Sequence, residues 1–241
     1  MDKINELLKI IKESNNIVFF GGAGVSTESG IPDFRSVDGL YIQKYKYKPE
    51  TILSRTFFDN NTEEFYKFYK DKMLISGVKC NFSHLFLKKL EDIGKLKAVI
   101  TQNIDGLHTA AGSKEVYELH GSIKRNYCMR CHKFYSEDYI KNSEGVPHCT
   151  CGGIIKPDVV LYEEPLDETI LYKSINAIRK ADCLIVGGTS LQVYPAAGLI
   201  QYFKGKYIVL INKDKTSFDE YASLVIHDSI GKVFSEVDKL I

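Results

Sequence analysis

The string GAGVSTESGIPDFR at positions 22–35 follows the apolar run IVFF at 17–20. Such a run reads as a buried parallel strand, and a strand that leads straight into Gly-Ala-Gly opens a dinucleotide site. The glycines let the backbone turn tightly and approach a pyrophosphate, with N–H groups aimed at it. This assigns Gly22, Ala23 and Gly24 to cofactor binding. The usual fingerprint would place a third glycine at Thr27 and then open a long helix. Here the third position is not glycine, and Gly30-Ile-Pro-Asp soon breaks any helix. Asp33, Phe34 and Arg35 are therefore expected on an irregular segment beside the cofactor.

Polar residues follow other apolar runs. TQNIDG at 101–106 lies just beyond one, where open α/β sheets place ligands. Asn103 or Asp105 could instead cap a short helix, which explains one polar residue there but not three. His120 ends the run VYEL at 116–119. Imidazole titrates near neutrality, so a histidine at a strand end beside a nucleotide site is a candidate general base. Gly188, Thr189 and Ser190 follow another run and suit phosphate or ribose contacts. Asn212 follows a third; taken alone it reads as a turn residue. Cys128-x2-Cys131, seventeen residues and Cys149-x-Cys151 form a four-thiolate pattern. Four sulfurs on two knuckles close a tetrahedral shell round one structural zinc and leave no place for a catalytic water. Disulfides or a redox pair are the alternatives, the second disfavoured because neither pair opens a thioredoxin-like helix. Cys80 and Cys183 read as buried thiols.

Parallel strands are expected at 17–20, 98–101, 116–119, 183–186 and 207–211. Helical patterns lie at 3–14, 84–93 and 166–181, which implies a sheet covered on both faces. Residues 40–78, rich in aromatics and charge, read as helices and loops. Residues 125–155 are polar and hold the cysteines. Both interrupt the sheet domain, so a small discontinuous domain is expected. The chain has 241 residues, 44% hydrophobic and 26% charged, and a net charge of +1. That balance gives no field for nucleic acid, and no apolar run approaches a membrane span. The N-terminus lacks a signal-peptide pattern. A cytoplasmic protein, and a monomer, are expected.

Five segments in order resemble the signature of the sirtuins, the NAD-dependent protein-lysine deacylases: 22–35, 101–108, His120-Gly121, the four cysteines and 187–197. The resemblance covers nearly the whole chain. It implies an α/β fold, a Rossmann-like parallel-sheet domain (1–39, 79–124 and 156–241) with a small discontinuous domain, helical at 40–78 and zinc-binding at 125–155. It implies that Gln102 and Asn103 meet the ribose side of NAD, Asn103 among the catalytic residues, and that Ile104 and Asp105 line the nicotinamide pocket. It makes His120 the catalytic base, and Asn212 and Ile230 contacts of the adenosine. Val159, Val160, Leu161 and Tyr162 resemble the segment that pairs with a substrate peptide, with Tyr162 and Glu163 where the family usually has phenylalanine and glycine. Tyr66 and Tyr69 align with the border of the acyl pocket. Neither brings the positive charge that would hold an acidic acyl group, so acetyl is the expected group. The implied reaction converts acyl-lysine and NAD to lysine, nicotinamide and O-acyl-ADP-ribose, with acetyl-lysine proteins as partners. A mono-ADP-ribosyltransferase and a non-enzymatic zinc-containing interaction protein are the alternatives. A dehydrogenase would want the full glycine fingerprint and an acid closing the second strand, and neither is present.

Overall fold

The computed structural model describes residues 3–33 and 46–241. Helix α1 (Lys3–Glu13) buries Leu7, Ile10 and Ile11 and leads into β1 (Ile17–Gly21), whose five residues are all buried. Two short 3₁₀ turns follow, Ala23–Val25 and Thr27–Ser29. Then come α2 (Pro49–Ile52), α3 (Arg55–Asn60), α4 (Thr62–Phe68) and a π turn at Tyr69–Met73. Helix α5 (Phe82–Asp92), strand β2 (Leu96–Thr101), helix α6 (Leu107–Ala110) and strand β3 (Val116–Glu118) return to the first layer. Strands β4 (Gly121–Cys128) and β5 (Phe134–Ser136), helix α7 (Glu137–Asn142) and strand β6 (Ile155–Val159) carry the cysteine lobe. The chain closes with α8 (Glu168–Lys180), β7 (Cys183–Gly187), β8 (Tyr207–Ile211), β9 (Leu224–Ile226) and α9 (Ile230–Asp238).

Six strands form one parallel sheet in the order β3-β2-β1-β7-β8-β9. Numbered within that sheet the order is 3-2-1-4-5-6, the doubly wound arrangement, which binds ligands in the crevice where the strand order reverses. That crevice lies between β1 and β7, whose last residues, Gly21 and Gly187, stand side by side. The central strands are continuously apolar because both faces are covered. On one face Phe19 and Ile185 pack with α1, α5 and α9; on the other Phe20, Val186 and Leu210 pack with α8 and the 3₁₀ segment Ala196–Tyr202.

A separate core joins two stretches distant in sequence. Ile52, Phe58, Phe65 and Tyr69 pack with Ile123, Tyr135, Ile155 and Leu161. Its sheet is antiparallel, in the order β5-β4-β6. The chain passes from the parallel sheet to the antiparallel one at the Leu119-His120 step between β3 and β4, so His120 stands at the junction of the two sheets. Among the described residues no helix is long and apolar enough to cross a membrane.

Candidate active site and metal centre

The crevice is built by backbone contact between two loops. A Cβ on Gly24 would lie 2.7 Å from the Cα of Gly188, and one on Gly22 would lie 2.8 Å from the Cβ of Thr189. Gly188 has φ +60°, and a Cβ there would stand 2.5 Å from the nitrogen of Val25. Only glycine permits this approach. The Gly22 N–H donates to the Gly187 carbonyl at 3.2 Å, and the Gly24 N–H to the Gly188 carbonyl at 2.8 Å. This corrects one expectation: these two N–H groups are not aimed at a pyrophosphate but stitch the β1 loop to the β7 loop.

Around that seam the polar residues form a network. Ser26, 1% exposed, donates its hydroxyl to Asp105 Oδ2 at 2.7 Å and accepts from Asn103 Nδ2 at 3.1 Å. Asp105 Oδ1 accepts the Leu107 N–H at 2.8 Å, which caps the start of α6. Asp105 thus serves a helix and the loop at once. Gln102 donates its amide to Thr189 Oγ1 at 3.1 Å, linking the ends of β2 and β7. Its carbonyl oxygen lies 2.9 Å from His120 Nδ1. A carbonyl only accepts, so Nδ1 carries the proton and Nε2 is the basic nitrogen. Burial holds the His120 pKa below its usual value, opposed by the bond to Gln102, so the ring is neutral at neutral pH.

Gly22, Ala23, Gly24, Gln102, Asn103, Asp105, His120, Gly188 and Thr189 therefore all belong to the loops at the carboxyl ends of β1, β2, β3 and β7. Ser190 continues the β7 loop, and Asp33 ends the described part of the β1 loop. Phe34 and Arg35 lie outside the described residues. Ile104 packs against the small domain's core, and its carbonyl accepts the Ile123 N–H at 2.9 Å. Asn212 begins the turn after β8, where its amide donates to the Asp214 carbonyl at 2.9 Å. Ile230 is 4% exposed, and its side chain lies over Gly187 in the core, which leaves little of it to meet a base.

The expected substrate segment looks different from a free strand edge. Val160 donates its N–H to His120, Leu161 to the Glu164 carboxylate, and Tyr162 to Leu53. Val159 and Leu161 are buried, while Tyr162 is exposed. Glu163 adopts φ +77°, a glycine-like backbone, and its carboxylate accepts the Thr56 N–H at 2.8 Å near the start of α3. A non-glycine residue thus holds a left-handed backbone here, beside a bond to a helix end. Tyr66 and Tyr69 lie inside the small domain's core, with ring centroids 6.1 Å apart. The Tyr66 hydroxyl donates to the Ile155 carbonyl. Lys70 binds the carbonyls of Ser143 and Gly145, on the cysteine lobe.

Sequence reasoning missed three residues that organise the site. Ser26 lies within the 22–35 segment, but nothing in its type announces a bond to Asp105. His84 and His108 are both buried, their rings 4.7 Å apart beneath the loop that carries Asp105. Burial pushes the His108 pKa down to about 3, with His84 adding to the effect.

The four cysteines converge. The Sγ atoms of Cys128, Cys131, Cys149 and Cys151 all lie within 4.8 Å of one another, with the nearest pairs at 3.5 Å. A tetrahedral zinc with bonds of about 2.3 Å needs sulfurs about 3.8 Å apart. Disulfide sulfurs would sit at about 2.05 Å, and all four thiols are free. The Arg130 and Cys131 N–H groups point at Cys128 Sγ, and the Cys151 N–H at Cys149 Sγ, as knuckles do. A Cβ on Gly153 would lie 2.7 Å from Cys128 Sγ, so the turn after the second pair must be bare. The donor set fits one structural zinc.

A doubly wound sheet, a glycine seam at its switch point, a histidine at the junction with a four-cysteine lobe: these define one family, and comparison places the chain in it. A sequence model of the Sir2 family matches residues 22–195, and the chain belongs to that family. It is 63% identical over 240 residues to the NAD-dependent protein deacetylase of Clostridium perfringens, covering 98% of each chain. It is 62% identical over 241 residues to the corresponding protein of Clostridium acetobutylicum, again with 98% of each covered. Among solved structures, a Sir2 protein with a p53 peptide and NAD+ superposes with a TM-score of 0.88 at 40% identity, covering 98% of both chains. Another, bound to a propionylated peptide, gives a TM-score of 0.88 at 39% identity, covering 100% of this chain and 98% of that one.

Proposed function

We propose that the protein is an NAD-dependent protein-lysine deacetylase. The observation that carries this reading is His120: a neutral imidazole at the domain junction, its Nδ1 proton fixed by the Gln102 carbonyl and its Nε2 left basic. NAD supplies an electrophilic ribose carbon that takes the acyl oxygen as nicotinamide leaves. One water is consumed as the amine is released, and the products are lysine, nicotinamide and O-acetyl-ADP-ribose. The Gly22–Gly24 and Gly188–Ser190 loops hold the dinucleotide at the switch point, and Asp33 continues that wall. Gln102, Asn103, Ile104 and Asp105 form the floor towards the ribose and nicotinamide. Ser26 orients Asn103 and Asp105 through its hydroxyl. His120 Nε2 takes the proton from a ribose hydroxyl as the acetyl group transfers. That is ordinary general-base work for a group unprotonated at working pH. Burial of the site keeps water from the reacting carbon. The 159–163 segment borders the acetyl-lysine, and the zinc is structural. The cytoplasm is the compartment that suits free thiols and an NAD cosubstrate.

The test is product analysis with NAD and one acetylated peptide. Deacetylated peptide together with O-acetyl-ADP-ribose is expected. ADP-ribose attached to the peptide, with its acetyl group retained, would establish the transferase alternative instead.

A further inference from the structure

The β1 loop holds only two short 3₁₀ turns. Each is closed by two backbone bonds of 3.0 Å: Val25 to Gly22 and Ser26 to Ala23, then Ser29 to Ser26 and Gly30 to Thr27. Contacts from outside the loop set how the two turns sit against the crevice. On one side Ser26 reaches Asp105 and Asn103. On the other side stands Asn81, the residue before α5. Its Nδ2 donates to the Val25 carbonyl at 2.7 Å and to Ser29 Oγ at 3.0 Å, thus touching the end of each turn. Its Oδ1 accepts the Ser83 N–H at 2.8 Å and caps the helix. Its own N–H lies 3.2 Å from His84 Nδ1. Helix α5 is anchored by Phe86, Leu87 and Leu90, so Asn81 is a fixed post on the side of the loop away from the β7 seam and Asp105.

The choice of asparagine is informative. Serine, threonine, aspartate and asparagine all cap a helix well. Of these, asparagine alone presents two amide donors at that reach, since a hydroxyl is too short and a carboxylate only accepts. The cap explains Oδ1 and leaves Nδ2 to be explained. We infer that Asn81 is a positioning residue: from the start of α5 it holds residues 22–33 in the shape that receives the dinucleotide. The inference rests on the NAD-dependent reading of the same crevice. Asn81 itself touches no reacting atom.

The experiment separates the cap from the latch. Asn81→Ser keeps a capping oxygen and loses the reach to the loop; Asn81→Ala loses both. Both should raise the KM for NAD roughly tenfold, about threefold for each of the two hydrogen bonds to the loop that are lost. The kcat should stay within about twofold and the KM for peptide should not move. Calorimetric NAD binding should weaken by the same factor, and only Asn81→Ala should lower Tm. A wild-type KM and NAD affinity in Asn81→Ser would show that Asn81 is a helix cap and nothing more. Should that variant not fold, Ser29→Ala removes one acceptor of the latch from the loop side, and about a threefold weaker NAD affinity is expected. Unchanged affinity there overturns the inference. A wild-type protein that binds NAD but does not deacetylate would sink the proposed function. The calorimetric comparison would still decide the role of Asn81.

Discussion

Replacing Gly188 with alanine should damage both the fold and NAD binding, because two separate costs fall on one atom. The first is conformational. Gly188 has φ +60°, where an L side chain costs about 1 kcal/mol or a little more. The second is steric. The added Cβ would stand 2.5 Å from the nitrogen of Val25 and 2.7 Å from the carbonyl carbon of Gly24, both backbone atoms. Non-bonded heavy atoms prefer about 3.5 Å or more, so the loops must part by on the order of 1 Å. The 2.8 Å bond from Gly24 to the Gly188 carbonyl would then be broken, at about 1 kcal/mol. Overpacking of this kind adds ~1–3 kcal/mol. The expected total is roughly 3–5 kcal/mol, or a fall in Tm of about 10 °C for a chain of this size. Gly94→Ala isolates the first cost. Gly94, just past α5, has φ +75° with nothing within 4 Å of an added Cβ. It should lose only about 1 kcal/mol and keep the wild-type KM for NAD. Thermal unfolding followed by circular dichroism, with NAD titrations, gives both readouts. Equal Tm losses in the two variants, with NAD affinity unchanged in Gly188→Ala, would refute the glycine seam.

Replacing Cys151 with serine should release the metal and lower Tm, since a structural zinc contributes directly to folding; metal analysis of the wild type should find stoichiometric zinc, and finding none would count against the site. Acetyl peptides should be preferred over succinyl ones by about 100-fold or more in kcat/KM, because a buried carboxylate without a cation is costly. Lys70, the ammonium next to Tyr69 in sequence, is bound to Ser143 and Gly145; comparable rates on both peptides would show that a cation reaches the acyl group. His108 should make the protein acid-sensitive. Its folded pKa is pushed down to about 3 from 6.5, so between those values the unfolded chain binds a proton that the folded chain does not. Stability from this group is complete above pH ~6.5 and falls as pH drops towards ~3. His108→Phe should flatten the slope of unfolding free energy against pH in that window, and an unchanged slope would contradict the assignment.

What the sequence disclosed follows from what forces a pattern on it. The strands at the centre of the large sheet are buried on both faces, so they read as apolar runs, and the residues after them stand out as polar. That is why the crevice residues were legible. Strand β9 is only Leu224–Ile226 and lies at the sheet edge, too short to carry a pattern. Strand β4 passes through Lys124, Arg125 and Asn126 between β5 and β6; its polarity hides any strand pattern. The partners of the Gly22 and Gly24 N–H groups lie across the fold on β7, and no local spacing reports that. Tyr66 and Tyr69 show why helix periodicity stops short of function: the same spacing serves a pocket wall and a packed core. The structure places both in the core. Glu163 stands where the family usually has glycine and has a positive φ; its carboxylate bonds to Thr56 on α3, a partner that local sequence does not report.

The proposed role of His120, poised by Gln102, is that of general base in NAD-dependent deacetylation. Mass spectrometry of an acetyl-lysine peptide incubated with wild type or His120→Ala, each with and without NAD, tests it most directly. Conversion to free lysine is expected with wild type plus NAD and not without NAD, and a folded His120→Ala with NAD should be slower by a factor on the order of 10² or more. Conversion without NAD, or near-wild-type turnover by His120→Ala, would contradict it.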